Sequence, residues 1–444
     1  MTKVLLVGSG AREHAIAEAV CKSKNAQFFA FMGNNNPGIA ALCKKHGGES
    51  AVGDIYEGKG IAAWAKERGI EIAVIGPDAV LAAGVSDDLW GAGIPCSGPV
   101  KAAARIEWDK AFARSLMKKH AIKGCPEFGI FTEFKGASQL IDSLGRVAVK
   151  PSGLTGGKGV KVVGVQLKDT KEAKDYAREV LVSNIGRLGS VVIEEFLEGE
   201  EFTLQAFVDG EHVVGMPCVQ DHKLAFEGDT GPNTGGMGAY TDAGNILPFM
   251  KKSDYDEALD IMKHTVKALK DEGISFKGFL YGQFMITREG IKVVEFNSRL
   301  GDPEAMNVLA LLKSDFVQIL KQIADGTLHE AEFAQEATVC KYLVPSGYPD
   351  SPKADSEITV DEAAIKKSGC HAYYAAVDER DGKVFTTSSR AVAVLGMAPT
   401  IAEAEQKAEK AVGFVKGDLA HRRDIGTAEL IQKRVDHVNR MRGE

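Results

Sequence analysis

The chain has 444 residues, 44% of them hydrophobic and 26% charged, with 54 Lys and Arg against 61 Asp and Glu for a formal net charge of -7. That mix fits a globular protein of about three or four compact units, and an acidic balance without a long basic run argues against nucleic acid as a partner. No apolar run reaches the ~18 residues that would span a membrane. The start, Met-Thr-Lys, leads directly into a strand, so no signal peptide is expected. Seven scattered cysteines without a C-x-x-C pair are expected to be free thiols in a reducing compartment, which points to the cytoplasm.

In chain order, apolar periodicity predicts a strand over Lys3–Gly8, a helix over Arg12–Lys22 and a strand over Gln27–Met32. A turn-rich loop, Gly33–Gly38, follows. A helix is expected over Ile61–Arg68, a strand over Glu71–Ile75 ending in Gly76-Pro77, and a helix over Ala79–Leu89. Alternation of this kind predicts an open parallel sheet with helices on both faces. A helical segment, Ala102–His120, leads to a strand, Arg146–Lys150. The glycine-rich loop Pro151–Gly159 and a second strand, Gly159–Val165, complete an expected antiparallel hairpin. Lys171–Val182 reads as a helix and Ser190–Glu195 as a strand, followed by mixed α+β pattern to about residue 325. The last third has strands at Glu336–Val344, His371–Val377 and Ala391–Gly396 and a helix at Ile401–Val415, a small α+β unit.

Four segments carry chemistry. Gly8-Ser9-Gly10-Ala11-Arg12-Glu13 lies between a strand and a helix, where backbone N–H groups favour an anion. Glu13 replaces the third glycine of a dinucleotide fingerprint, and Gly33-Asn34 stands where such sites carry an acidic residue, so NAD is disfavoured. Val149–Val160 (VKPSGLTGGKGV) has two lysines, Lys150 and Lys158, and four glycines, three between the lysines and one after the second; glycines admit phosphate oxygens to the backbone and lysines supply charge. No G-K-[ST] helix start follows, so it is not a P-loop.

The segment Ile291–Asn297 is expected to pair with the strand around Gln283, and period-two alternation puts residues 293, 295 and 297 on one face. Glu295 and Asn297, with Gln283 across the hairpin, form an oxygen-rich set suited to magnesium. Arg299 places a guanidinium nearby for a carboxylate or phosphate. The stretch Asp221–Tyr240 (DHKLAFEGDTGPNTGGMGAY) reads as a long functional loop with Asp221-His222-Lys223 at its mouth.

Together these segments resemble the ATP-grasp superfamily and, within it, the phosphoribosylamine–glycine ligase (glycinamide ribonucleotide synthetase) family. The matching stretches are VGSGAREHA, VIGPDA, VKPSGLTGGKGV, IEEFLEGEEFT, QDHK, DTGPNTGGMGAY, GFLYGQFM, VVEFNSRLGDPE and RRDIG, in family order across nearly the whole chain. The chain has Gly76-Pro77-Asp78 where the family usually has Gly-Pro-Glu, and Gly33-Asn34-Asn35-Asn36-Pro37-Gly38 where it often has G-N-A-G-T.

The resemblance implies an N-terminal α/β substrate domain (1–105), linker helices and an ATP-grasp lid (106–190), a central ATP-grasp domain with the metal site (191–330) and a C-terminal α+β domain (331–444). It implies an ATP-dependent ligase joining glycine to phosphoribosylamine through glycyl phosphate, with Mg2+ or Mn2+ as cofactor. ATP would be held by Lys110, Lys150, Gly156, Gly157, Lys158, Glu194, Glu195, Leu197 and Glu201. The other substrates would be held by Gly10, Gly38, Pro77, Asp78, Asn233, Thr234, Gly235, Gly236, Met237, Asp302 and Glu304. Catalytic roles would fall to Arg299, Lys223 and Asp221, and metal binding to Gln283, Glu295 and Asn297. Partners are expected to be small molecules only, with no membrane or nucleic acid, and the chain is expected to act as a monomer. The rival readings are another ATP-grasp ligase or carboxylase, and a nucleotide-binding regulator without turnover.

Overall fold

The structure, a computed structural model, describes residues 1–156 and 159–444. The N-terminal part is a parallel sheet in the order Ser50–Val52, Ala26–Met32, Thr2–Val7, Ile72–Ile75, Cys96–Ser97. Along Thr2–Val7 the side chains alternate between two cores, Val4 and Leu6 into one and Leu5 and Val7 into the other, as a parallel strand covered on both faces requires. The strand order reverses at Thr2–Val7 and Ile72–Ile75. The loops after them, Gly8–Gly10 and Gly76-Pro77, therefore share the crevice where α/β sheets bind ligands.

Three expected elements differ. The helix over Ala79–Leu89 is two, Asp78–Ala83 and Val85–Gly91, because Gly84 ends the first at φ +97. The helix over Ala102–His120 is also two, Lys101–Trp108 and Lys110–Lys119. Asp109 between them is extended and caps the second, its carboxylate accepting from the Phe112 N–H at 3.0 Å. The loop expected over 33–38 stops at Asn36, which caps a helix, Pro37–Lys45, with proline at its first position.

The next unit is an antiparallel sheet in the order Phe128–Phe131, Val191–Glu195, Val147–Pro151, Lys161–Val162. Helices Phe134–Leu144 and Thr170–Val182 bury Ala137, Ile141, Ala173 and Ala177 against it. The glycine-rich segment does connect two antiparallel strands. The second is shorter than Gly159–Val165, because Gly164 at φ +85 turns the chain away.

A second antiparallel sheet runs Val213–Gly215, Glu200–Asp209, Lys277–Thr287, Gly290–Asn297. Phe202, Leu204, Phe284 and Ile286 lie in the core, Phe202 stacked on Phe284, with helix Lys252–Asp271 packed against the sheet. Alternation therefore sends Glu201, Thr203, Tyr281 and Gln283 to the opposite face. The expected sharing of one face by Val293, Glu295 and Asn297 fails for Val293. The register slips between Gln283↔Glu295 and Phe284↔Val293, so Val294 is an extra residue and Val293 turns into the core. This is a β-bulge, which bends the strand and re-aims its side chains.

A third sheet runs Gln220–Asp221, Gly238–Thr241, Ala337–Pro345, Val392–Ala398, Cys370–Tyr374, with helix Ile401–Val412 on it. The stretch expected as one long loop, Asp221–Tyr240, is largely paired. Gln220 faces Tyr240 and Asp221 faces Ala239, and a small hairpin, Leu224–Phe226 with Thr230–Asn233, lies between. Helix Ala428–Arg442 ends the described chain. No described helix is long and apolar enough to cross a membrane.

A buried ion triad ties these units together. Glu194, 2% exposed, receives Arg114 Nε at 2.7 Å and Nη2 at 2.9 Å, and pairs with Lys150 Nζ at 2.8 Å. The same two cations donate to the bulge: Arg114 to the Val293 and Val294 carbonyls, Lys150 to the Val294 carbonyl at 3.0 Å. Burial alone would raise the Glu194 pKa, but Arg114 and Lys150 hold it down at about 2 against an ordinary 4.5. A depressed carboxylate contributes its stability above the unfolded pKa and loses it as pH falls from about 4.5 through 2. Glu194→Gln leaves two cations buried without their counter-ion, and we expect a loss of about 3–5 kcal/mol at neutral pH. Urea unfolding checks this: the gap between wild type and variant should close as pH falls below 4.5.

Candidate active site

The polar face of the Glu200–Asp209, Lys277–Thr287 and Gly290–Asn297 strands gathers most of the expected metal and phosphate residues. Cross-strand register puts Gln283 opposite both Thr203 and Glu295. The Gln283 amide nitrogen donates to Glu201, and Lys223 Nζ lies 3.5 Å from the same carboxylate. Among the described residues, the only hydrogen bond to Glu295 is a long one, 3.5 Å, from Asn297 Nδ2. Burial would raise the Glu295 pKa, but Lys223, Lys110 and Lys150 hold the carboxyl below its usual range, ionised. Lys150 is itself shifted down, by burial first.

A carboxylate so little used by the protein, next to amide oxygens and ringed by lysines, fits a hard divalent cation shared with phosphates. Asn297 Oδ1 also accepts from Arg299 at 3.2 Å, so its oxygen would be shared. Arg299 is fixed on its other side by Glu107 Oε1 at 3.0 Å, and Ser298 donates its N–H and hydroxyl to Glu107 Oε2. Burial opposes the Arg299 charge, yet Glu107 and Asp78 keep its pKa raised. Asp78, at the first turn of its helix, thus lies within the field of Arg299.

Asp221 and Lys223 project toward the same region, and His222 between them turns the other way, stacked on Tyr240 with Nδ1 3.3 Å from Asp229. Burial, and then the Glu304 carboxylate, push Asp221 well above the usual carboxylate range. Its Oδ1 is buried with no protein partner among the described residues. Glu304 accepts from the Tyr281 hydroxyl at 2.8 Å and Thr203 Oγ1 at 3.3 Å. Burial works against the Lys223 charge, but Glu201, Glu295, Asp221 and Glu304 outweigh it and hold the lysine protonated.

On the lid side, Lys110 opens its helix, donating its N–H to Ser152 at 2.8 Å and Nζ to the Gly153 carbonyl at 3.4 Å. Lys110, Arg114, Lys150, Glu194, Val294 and Glu295 line one cavity between lid and central sheet. Gly156 stands at φ +59 in the glycine-rich turn; Gly157 and Lys158 lie outside the described residues. Glu194 and Glu195 do not present carboxylates to a ligand. The first is in the ion triad, and the second accepts from the Glu127 N–H at 2.9 Å and faces Lys292 at 3.6 Å. Leu197 is half-buried just after that strand.

Other expected contacts are used internally. The Gly10 N–H donates to Glu13 Oε2 at 2.6 Å, where the sequence suggests an anion. A Cβ at Gly76 would lie 2.0 Å from Glu13 Oε1, so the Glu13 carboxylate fills the space between the Gly8–Gly10 and Gly76-Pro77 loops. The Gly38 N–H donates to Asn36 Oδ1, and the His14 ring occupies the place of a Gly38 Cβ. Met237 packs in the main core. Thr234 Oγ1 donates to the Lys223 carbonyl at 2.8 Å, and Asn233 pairs with Leu224.

Two residues that the sequence does not single out belong to the site. Arg114 is one. Arg390 is the other: it donates to the carbonyls of Gly235, Gly236 and Asp302, pairs with Asp302 Oδ2 at 3.2 Å, and lies over the Tyr342 ring. It pins the glycine turn against Asp302, whose Oδ1 also accepts from the Tyr342 hydroxyl. A lone arginine in a strand-edge segment carries no local signal of such a role.

Residues 2–107, 108–305 and 338–428 match, in turn, the N domain, the ATP-grasp (A) domain and the C domain of phosphoribosylglycinamide synthetase. A phosphoribosylamine–glycine ligase of Methanosarcina barkeri is 57% identical over 445 residues, covering 99% of this chain and 100% of the relative. One of Methanosarcina acetivorans is 55% identical, covering 99% of this chain and 98% of the relative. The crystal structure of phosphoribosylamine–glycine ligase from Thermotoga maritima superposes with a TM-score of 0.80 at 29% identity, covering 95% of this chain and 100% of that one. The chain belongs to the phosphoribosylglycinamide synthetase family.

Proposed function

We propose that the chain catalyses ATP-dependent ligation of glycine to 5-phosphoribosylamine, giving glycinamide ribonucleotide, ADP and phosphate in de novo purine synthesis. The observation that carries the reading, in a chain of this family, is the little-bonded Glu295 carboxylate with Lys110, Lys150 and Lys223 around it. Phosphoryl transfer needs charge neutralisation and alignment more than it needs a protein nucleophile.

A glycine carboxylate oxygen attacks the γ-phosphorus, the bond to the bridging oxygen breaks, and ADP departs with the electron pair. The amine nitrogen of phosphoribosylamine then attacks the acyl carbon of glycyl phosphate, expels phosphate and gives up a proton. Lys110, Lys150, Lys158 and Lys223 bind phosphate oxygens, with Gly156 and Gly157 letting the lid backbone approach them. The Val191–Glu195 strand and Leu197 border the base, and Glu201 faces the ribose. Gln283, Glu295 and Asn297 would hold Mg2+ (or Mn2+), which when bound adds positive charge between the phosphates. Arg299 and Asp221 orient the reacting carboxylate. The Gly10, Gly38 and Pro77-Asp78 loops with Asn233–Met237, Asp302 and Glu304 frame the remaining substrates. Lid closure keeps water from the acyl phosphate.

The working division is 1–105, 106–190, 191–330 and 331–444, with Val191–Glu195 completing the lid sheet. Free, mostly buried cysteines support a reducing cytoplasm. The partners are small molecules, without nucleic acid or membrane, and the chain acts as a monomer.

Two measurements test this. ADP release is followed with ATP, magnesium, glycine and freshly generated phosphoribosylamine, each omitted in turn. Release that requires both glycine and the amine is expected; release satisfied by another acid would move the substrate assignment to a different ATP-grasp ligase. Glu295→Ala should lower turnover at least about a thousandfold while the melting temperature holds, because the side chain has so little protein bonding. Unchanged turnover would overturn the metal assignment.

A further inference from the structure

A buried polar cluster around Asp229 lies outside the site, and no step above uses it. Arg422, 1% exposed, comes from the segment before the last helix. Its Nη1 donates to Asp229 Oδ1 and to the Leu224 carbonyl, both at 3.0 Å. Its Nε and Nη2 bind Asp424 at 2.9 and 2.6 Å, which brings the guanidinium to four hydrogen bonds. Arg434, on the last helix, binds the other Asp229 oxygen and pairs with Glu200 at 3.3 Å. His222 completes the set around Asp229. Asp229 itself stands at φ +56, and the adjacent turn is held from the same side: Gly228 N–H donates to Asp424 at 2.8 Å and Arg423 N–H to Glu227 at 3.2 Å.

The consequence falls on Lys223. Its carbonyl is bound by the Thr234 N–H and hydroxyl, both at 2.8 Å, and the next carbonyl, Leu224, by Arg422. His222 is drawn toward Asp229, away from the site, while Asp221 and Lys223 on either side of it lie within reach of Glu304. We propose that the Asp229–Arg422–Arg434 clamp is a positioning device of the C-terminal segment: by holding the Leu224 carbonyl and the Glu227–Asp229 turn it sets the angle at which Lys223 and Asp221 enter the site. This rests on the assignment of Lys223 to the phosphates.

The test compares Asp229→Asn, Arg422→Lys and Lys223→Ala in the full chain, with turnover and the ratio of ADP formed to ligated product. Asp229→Asn removes charge at constant shape, and Arg422→Lys keeps charge but loses the planar fork. Either clamp variant should lower kcat by about 10–100-fold. The ratio of ADP to product should rise from one to at least about two, since misplaced Lys223 and Asp221 side chains leave the acyl phosphate open to water. Simple loss of folded enzyme leaves that ratio at one, so reduced turnover with a ratio of one overturns the proposal. Full turnover in the clamp variants with an inactive Lys223→Ala removes the clamp alone; full turnover in Lys223→Ala removes the lysine assignment and the clamp with it. If Asp229→Asn does not fold, Arg422→Lys carries the same outcomes.

Discussion

The buried triad of Glu194, Arg114 and Lys150 is the constraint on which the site depends. Three charges far from water cost several kcal/mol each unless every donor and acceptor is matched. Here they are matched only if three separate elements meet: the helix Lys110–Lys119, the lid strands, and the bulge of Gly290–Asn297. The bulge supplies the last acceptors, the Val293 and Val294 carbonyls, with Val294 the extra residue of the strand. The same slip turns Val293 into the core and aims Glu295 at the lysines. One backbone irregularity thus satisfies the ion triad and creates the metal candidate.

Charge in the site follows from that arrangement. Lysines outnumber hydrogen bonds at Glu295, so the carboxylate is ionised without being used up. Asp221, by contrast, feels the Glu304 carboxylate, and burial with that repulsion raises it. The two buried carboxyl groups are therefore pushed in opposite directions: lysines hold Glu295 below the usual carboxylate range, while burial and then Glu304 push Asp221 above it despite Lys223 and Arg390. Such a site can meet both a polyanionic nucleotide and a carboxylate substrate without holding a nucleophile of its own.

Much of this was readable along the chain. Short-range pattern located the parallel sheet, the antiparallel strands Val147–Pro151 and Lys161–Val162 on either side of the glycine-rich segment, and the Gln283–Glu295 pairing, because each depends on neighbours within a strand or turn. What was not readable depends on distant partners. Arg114 and Glu194 are 80 residues apart, and Arg114 and Val294 are 180 apart. Local pattern shows neither the partner nor the register slip. The same limit explains the side chains that are expected to hold ATP and are not free: the Glu194 and Glu195 carboxylates answer Arg114, Lys150 and Lys292. Gly38 is expected to help hold a substrate, yet its missing side chain makes room for His14.

The stretch from Asp221 to Tyr240 shows why a glycine-rich segment need not be loose. Its two ends pair in the C-terminal sheet, its middle is a hairpin, and arginines from residues 390 and 422 take up its carbonyls. Carbonyls left free by glycine turns need donors, and Arg presents five in a fixed plane. The donors come from the part of the chain beyond the lid and central sheet. The C-terminal unit is therefore not an appendage to a nucleotide-binding core. It supplies the rigidity that the glycines give up, and it supplies it at the turn where the reactive groups must be held.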